Sequence, residues 1–194
     1  MQEGPLDMRM DNSSEEITAG EILNNYKTEE LANIFYNYGQ EPKSRILAVE
    51  IAKYRLKKPF TSTTQFKDFI MEAIYGNYTR KMTAVKRVFQ ALRIYINDEL
   101  KDLDRVLLNL VNILPEKGRM AVISFHSLED RITKHTFKEL ISSPNQSSII
   151  KLVNKKPIIP SLEELKLNSR AESSKLRVIE TVSLRKAWIV NRES

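Results

Sequence analysis

The sequence predicts an α/β fold in which an all-helical segment is followed by the second half of a sheet. Three observations lead there. From Ile17 to Ala73 apolar residues recur three and four apart, with helix caps and breakers between the runs. From Val85 to Leu114 the same spacing continues, with Lys, Arg, Asp and Asn on the opposite side. After Pro115 and Gly118 the pattern changes: Arg119–Phe125 is short, apolar and β-leaning, and the order from there is strand, helix, loop, strand, strand.

Taken in order, residues 1–13 read as a loop with little to bury. Ile17 to Tyr26 suggests a short helix. Thr28 serves as an N-cap with Glu29 and Glu30 in the first turn, where the helix dipole favours negative charge. Leu31, Ile34, Phe35 and Tyr38 form the apolar face of that second helix, and Gly39 stops it. Pro42 suits the first turn of a third, with Ile46, Val49 and Tyr54 inward. Thr61-Ser62-Thr63-Thr64 supplies caps for a fourth, with Phe66, Phe69, Ile70 and Ala73 inward. The long stripe from Val85 to Leu114 would make one helix of about 45 Å, so a break is expected near Asp98 to Asp102. Arg119–Phe125 reads as a buried strand, and Ser127 or Ser124 as the cap of a helix over Leu128–Ile141. Residues 142–175 look irregular, and Leu176–Glu180 and Val182–Val190 read as a closing antiparallel hairpin.

Composition narrows the function classes. The 194 residues include no cysteine and two histidines, which excludes a thiolate metal site or nucleophile and argues against a histidine-rich one. No apolar run approaches the ~20 residues of a membrane span, and the N-terminus lacks a secretory pattern, so a cytoplasmic protein is expected. The net charge is +6. Residues 142–194 hold ten Lys and Arg against five Asp and Glu, so the basic excess lies in the C-terminal quarter, where phosphate would be welcome. No G-x-G-x-x-G and no P-loop occurs, and the five glycines are scattered.

Four stretches carry a resemblance: GPLDMRMD (Gly4–Asp11), FQALRIYINDEL (Phe89–Leu100), ISFHSLEDRITKHTF (Ile123–Phe137), and a tail running from Lys155 through Pro160, Asn168 and Arg170 to Lys175-Leu176-Arg177. In this order they resemble the bacterial ribosomal small-subunit RNA methyltransferase H family (RsmH/MraW), from Gly4 to about Val190. The tail departs at Ser169, Glu172 and Ser174, and only Arg87 is kept of the family's usual lead into FQALRI. The resemblance implies the C-terminal half of a class I seven-stranded methyltransferase sheet plus an all-helical insert. Residues 1–13 would be a loop of the catalytic domain, 14–82 the substrate-recognition insert and 83–194 the returning half of the catalytic domain. It also implies methyl transfer from S-adenosyl-L-methionine to the N4 amino group of a P-site cytosine in 16S RNA. The family's methyl-donor motifs precede GPLDMRMD, so no cofactor-binding residue is expected in this chain.

Candidate residues follow. Ser124, Phe125 and His126 stand where a strand ends, a usual place for ligands in open α/β sheets; Ser124 and His126 are catalytic candidates, with helix capping or filling of the turn as the structural alternative. Asp7, with Arg9 and Asp11, lies in the first matching loop; Asp7, a catalytic candidate, or Asp11 would orient an amine or a cationic group, or else form an ion pair or turn cap. Asn97, Asp98 and Glu99 would organise the cleft or cap a helix break. RNA-phosphate candidates are Arg87, Arg93, Arg170, Lys175 and Arg177. Tyr75 and Tyr78, beside Arg80 and Lys81, form an aromatic and basic loop suited to RNA bases, with a core role expected for at least one of them.

Two readings stay open at this point. One is the C-terminal part of an active enzyme whose partners are the small ribosomal subunit and a separate N-terminal half. The other is an inactive remnant or RNA-binding module. On either, the strand Arg119–Phe125 would expose a sheet edge and an apolar face, and the isolated chain would aggregate, oligomerise or bind a complement.

Overall fold

The structure, a computed structural model, describes residues 3–11, 13, 15–143 and 148–184. It divides into two compact units, residues 1–99 and 100–194.

The first unit is helical: α1 (Ala19–Asn25), α2 (Thr28–Asn37), α3 (Ser44–Arg55), α4 (Thr63–Ala73) and α5 (Tyr78–Ile96). Thr18 caps α1 in a reciprocal box with Glu21, and Ser62 and Asn77 cap α4 and α5 through their side-chain oxygens. Thr28 is the first residue of α2 rather than its cap; Lys27 is the cap, and the Glu30 carboxylate accepts from its backbone N–H. The buried side of α3 is Ser44, Leu47, Ala48 and Ile51, so the expected inward residues Ile46 and Val49 face solvent. Both sets have helical spacing, and what selects between them is the neighbours: α2 packs extensively along α3. Phe60 joins an aromatic cluster with Tyr54, Phe66 and Phe69, its ring 4.9 to 5.2 Å from theirs. Gly39 is needed for close approach, since a Cβ there would lie 2.6 Å from the Arg87 carbonyl and 2.7 Å from that of Phe35. The long apolar stripe breaks where expected, after Ile96, with Asp98 and Asp102 in the left-handed region. The packing boundary after Glu99 therefore places all of α5 in the helical unit, whereas the resemblance divides the chain at 82/83.

The second unit contains α6 (Leu103–Asn112), β1 (Arg119–Ser124), α7 (Ser127–Ser142), β2 (Ser148–Leu152), α8 (Leu162–Leu167), a 3-10 turn (Ser169–Ser173) and β3 (Lys175–Leu184). The sheet order is β1-β3-β2, and both pairings are antiparallel. Three expectations are corrected here. The stretch 142–175 is not irregular throughout: β2 and α8 lie in it. The two closing strands are not a hairpin. Leu176–Glu180 continues through Thr181 as one strand, because both of its edges are occupied and Thr181 points into the buried side; residues 185–190 of the second expected strand lie outside the described residues. Finally, β1 is not buried on both faces. Met120 and Ser124 face the layer of α7, with Val122 half-buried between them, while Arg119, Ala121 and Ile123 face away and are exposed. No seven-stranded arrangement is seen among the described residues, and the observed architecture is mixed helix and sheet.

Candidate functional site

In the helical unit, residues 4–11 are pinned along the helices. The Gly4 N–H donates to Thr63 Oγ1 and its carbonyl accepts from the Thr63 N–H, Leu6 is buried, and Ala19 and Gly20 N–H groups donate to the carbonyls of Asp7 and Leu6. The far end is held by Asn97: its Oδ1 accepts from Met10 N–H at 2.8 Å, and its Nδ2 donates to the Met8 carbonyl at 3.0 Å and the Arg93 carbonyl at 2.8 Å. One amide thus caps α5 and clips the loop. Met8 has φ 67°, a left-handed conformation that a non-glycine residue keeps only when its surroundings impose it. The loop and FQALRI segments, separate in sequence, form one surface, and Asn97 is the residue that joins them.

Asp7 in this loop is chelated by Arg9, Nε to Oδ1 at 2.6 Å and Nη2 to Oδ2 at 2.9 Å. Those hydrogen bonds hold its carboxyl below the usual range, so it is ionised at neutral pH. It also lines a concavity of about 530 Å³ with Thr18, Glu21, Asn24 and Phe60. Asp11 accepts from the N–H and hydroxyl of Ser13 and is likewise held low. Arg93 is paired with Glu99 at 2.7 Å, and Arg87 with the buried Glu41 at 3.7 Å. Tyr75 and Tyr78 are 85% and 71% exposed, so neither has the core role expected of one of them. Both lie at the connection between α4 and α5, Tyr75 just before Gly76 and Tyr78 as the first residue of α5.

In the second unit, β1 ends at the buried Ser124 and α7 starts after His126. The cap of α7 is His126, not either expected serine. Its Nδ1 accepts from the Glu129 N–H at 3.3 Å, while the Glu129 carboxylate accepts from the N–H groups of Phe125 at 2.7 Å and His126 at 3.1 Å. A ring nitrogen that accepts is unprotonated, which puts the imidazole proton on Nε2, 3.3 Å from Glu129 Oε1. The side chain is 7% exposed. His126 therefore organises the turn, and Phe125 is the member of the trio that faces solvent.

One turn further, Asp130 receives Arg177 from β3, Nε to Oδ1 at 2.6 Å and Nη2 to Oδ2 at 3.2 Å, with Lys175 Nζ at 3.5 Å. Arg177 is 8% exposed. Its hydrogen bonds, outweighing burial, hold the Asp130 carboxyl below its usual range. Of the tail's phosphate candidates, Arg177 is thus an internal tie between α7 and β3, Lys175 is half-buried beside the same carboxylate, and Arg170 is exposed. Arg177 was legible as a cation but not as a buried one; the signal was its odd spacing with Ile179 and Thr181 on one strand face.

The first turn of α7 does not fit S-adenosylmethionine. Backbone N–H groups at that turn are taken by His126 and Glu129, and none of the five glycines follows β1. No group of acidic or histidine side chains suited to a metal, and no helix long and apolar enough to cross a membrane, occurs among the described residues.

A model of the MraW methylase family matches residues 1–182. A protein of Carboxydothermus hydrogenoformans named "Ribosomal RNA small subunit methyltransferase H" is 42% identical over 193 residues, covering 93% of this chain and 61% of the relative. Proteins of the same name from Clostridium botulinum (strain 657) and Chlorobium phaeovibrioides are each 43% identical, covering 92% and 95% of this chain and 61% and 60% of the relatives. The chain spans about three-fifths of the length of these relatives. With the family model covering nearly all its residues and relatives well above 30% identity, the chain belongs to the MraW methylase family.

Proposed function

We propose that this chain is part of a small-subunit ribosomal RNA methyltransferase, which transfers a methyl group from S-adenosylmethionine to the N4 amino group of a P-site cytosine in 16S RNA. The observation that carries the reading is the clip between Met10 and Asn97, 87 residues apart, which joins two of the motifs behind the resemblance into one surface. The names of the relatives support it. The reaction needs a cytosine lifted out of its surroundings and held with N4 facing the methyl donor. Asp7 fits the orienting part. It is ionised; Oδ1 accepts from both Nε and the backbone N–H of Arg9, while Oδ2 accepts from Arg9 Nη2 and can also accept from an exocyclic amine. Its depressed pKa makes it a poor proton acceptor, so its role is alignment rather than general base catalysis. Arg87 and Arg93 stand on the same helix as the clip and would reach RNA phosphate by exchanging their carboxylate partners Glu41 and Glu99, while Arg170 and Lys175 add positive charge from the tail.

The methyl-donor pocket belongs, in this reading, to the part of the relatives' length that this chain does not span. The enzyme works in the cytoplasm on the small subunit, with that part supplied in the same or a second polypeptide. A second reading, an RNA-binding module without methyl transfer, is favoured by the exposed Tyr75 and Tyr78 beside Arg80, which can hold RNA without a methyl donor. The test is labelled methyl transfer to unmethylated small subunits, with and without the corresponding N-terminal portion of a relative. Label on cytosine N4 only with that portion present is expected. Label from the chain alone overturns the placement of the donor pocket, and no label in either case leaves the RNA-binding module.

A further inference from the structure

All seven tyrosines fall between Tyr26 and Tyr95, and they divide into two groups. Tyr26, Tyr38, Tyr54 and Tyr95 are ring-paired within the helical unit. Tyr36, Tyr75 and Tyr78 are 63%, 85% and 71% exposed. Tyr36 borders the first of two concavities that share one wall, while Tyr75 and Tyr78 lie one residue after Ile74 and two before Arg80, both of which line the second. The first, about 300 Å³, is lined by Tyr36, Lys43 and Arg45; the second, about 200 Å³, by Lys43, Arg80 and Arg87. Pro42 and Lys43 belong to both. Ile74, at the foot of the Tyr75–Tyr78 loop, lines the second, and the Arg80 stem lies across Gly76, where a Cβ would sit 2.7 Å from its Cδ.

The charge of this surface is one-sided. Its carboxylate, Glu41, is 4% exposed and already engaged by Arg87 and by the Lys43 N–H. That leaves Lys43, Arg45 and Arg80 as positive charge beside exposed aromatic rings. Cations that track a phosphate backbone, alternating with rings on which bases stack, are how single-stranded nucleic acid is held without reading its sequence. A duplex keeps its bases stacked on each other and offers no base faces to tyrosine.

We propose that the surface from Tyr36 across Pro42–Lys43 to Tyr75 and Tyr78 is a track for single-stranded RNA. Phosphates lie along Lys43, Arg45 and Arg80, and bases stack on the exposed tyrosines. This rests on the ribosomal RNA reading above and supplies it with a substrate-gripping surface remote in sequence from Asp7.

The experiment is fluorescence anisotropy of the full chain with a labelled single-stranded oligoribonucleotide and with an RNA duplex of the same length. Single-strand binding tighter than duplex binding is expected. Tyr75→Ala and Tyr78→Ala each weaken the single strand at least about fivefold. Lys43→Gln with Arg80→Gln lowers the salt dependence by about 1.4 in log–log slope, at about 0.7 per phosphate contact. Lys151→Gln, on the other unit, leaves binding unchanged. Tyr75, Tyr78, Arg80 and Lys151 are exposed and Lys43 is half-buried, so circular dichroism of the variants should match the parent chain. Absence of RNA binding, a preference for duplex, or tyrosine variants that bind like the parent each overturns the track. Methyl transfer that persists at parent rates at limiting RNA in Tyr75→Ala and Tyr78→Ala overturns the track but spares the methyltransferase reading. RNA binding with the predicted variant pattern but no methyl transfer spares the track and removes that reading.

Discussion

In the helical unit a single apolar cluster runs through every helix, and Ile22, Leu23, Leu31, Phe35, Leu47 and Phe66 within it have no exposure at all. In the sheet unit the cluster is smaller: Leu107, Val111, Met120, Phe137, Leu140, Ile150 and Ile179, all on the side of the sheet that meets α7, while Ile123 on the other side is 58% exposed. The difference is geometric. A helix buries one stripe, and five helices can turn their stripes toward a common interior. A sheet has two faces, and one layer of helices covers one of them. The sheet unit also buries both members of an ion pair, Asp130 and Arg177, whereas the buried carboxylate of the helical unit, Glu41, pairs with an Arg87 that reaches solvent.

Cutting into each core sharpens this contrast first. Phe66→Ala is expected to cost about 3–5 kcal/mol in chemical denaturation followed by circular dichroism, since it empties a fully buried aromatic site. A loss under about 1 kcal/mol would show the helical core to be loose. Next is the polar core. Asp130→Asn leaves Arg177 buried without its counter-charge, and about 3 kcal/mol is expected, at the low end for breaking a buried pair because Lys175 keeps the site partly open to water. The pH dependence has a definite sign. The folded-state pKa of Asp130 is depressed, so its stabilisation is complete above the ordinary carboxylate value, near 3.8, and is lost as pH falls through the lower folded value. In Asp130→Asn that part of the acid loss should disappear from an unfolding series against pH.

A smaller effect is expected at the clip. Asn97→Ala removes the bonds to Met8 and Met10, about 1–2 kcal/mol, read as faster hydrogen exchange along residues 8–10 with little change in global unfolding. Ile123→Lys should change stability by less than about 0.5 kcal/mol yet reduce self-association in sedimentation, because the apolar face it interrupts is already exposed. Equal sedimentation of the two would mean that this face does not drive association. Last is Tyr95, whose hydroxyl shares a hydrogen bond with Tyr26 and, with burial, is pushed up to about 12. A raised folded value means the stabilisation is complete below the ordinary value near 10 and is lost as pH rises through about 12. Tyr26→Phe should bring the Tyr95 titration back down in an ultraviolet tyrosinate measurement, and the hydrogen bond's contribution to stability is lost at neutral pH as well.

Much of the helical unit was legible residue by residue. A cap for α4 within Thr61–Thr64, an inward set containing Phe66 and Ile70, and a break near Asp98 to Asp102 all follow from local spacing and chemistry. The inward side of α3 was not legible, since Ile46-Val49 and Leu47-Ala48-Ile51 are equally helical stripes. Neither was the cap at His126, because a histidine rarely takes that place and two serines flank it. At the candidate site, Asp7 and Arg9 sit two residues apart and their pairing was an open alternative in the sequence. The bridge from Asn97 to Met8 and Met10 was beyond it, since nothing local to either segment points to the other.

By itself the sequence determined that four helices fill residues 17–73, that the long stripe after Val85 breaks near Asp98 to Asp102, that 119–125 favours a strand, and which motifs place the chain among its relatives. These depend on residues within a turn or two of each other, whose spacing and capping chemistry act before any tertiary contact forms. Only the tertiary structure decided which stripe of α3 is covered, that β3 runs unbroken between two partners, that Arg177 is a buried tie while Tyr75 and Tyr78 stand in solvent, and that one asparagine joins two motifs. Burial and pairing are set by whatever lies across the interior, and distance along the chain carries no information about that.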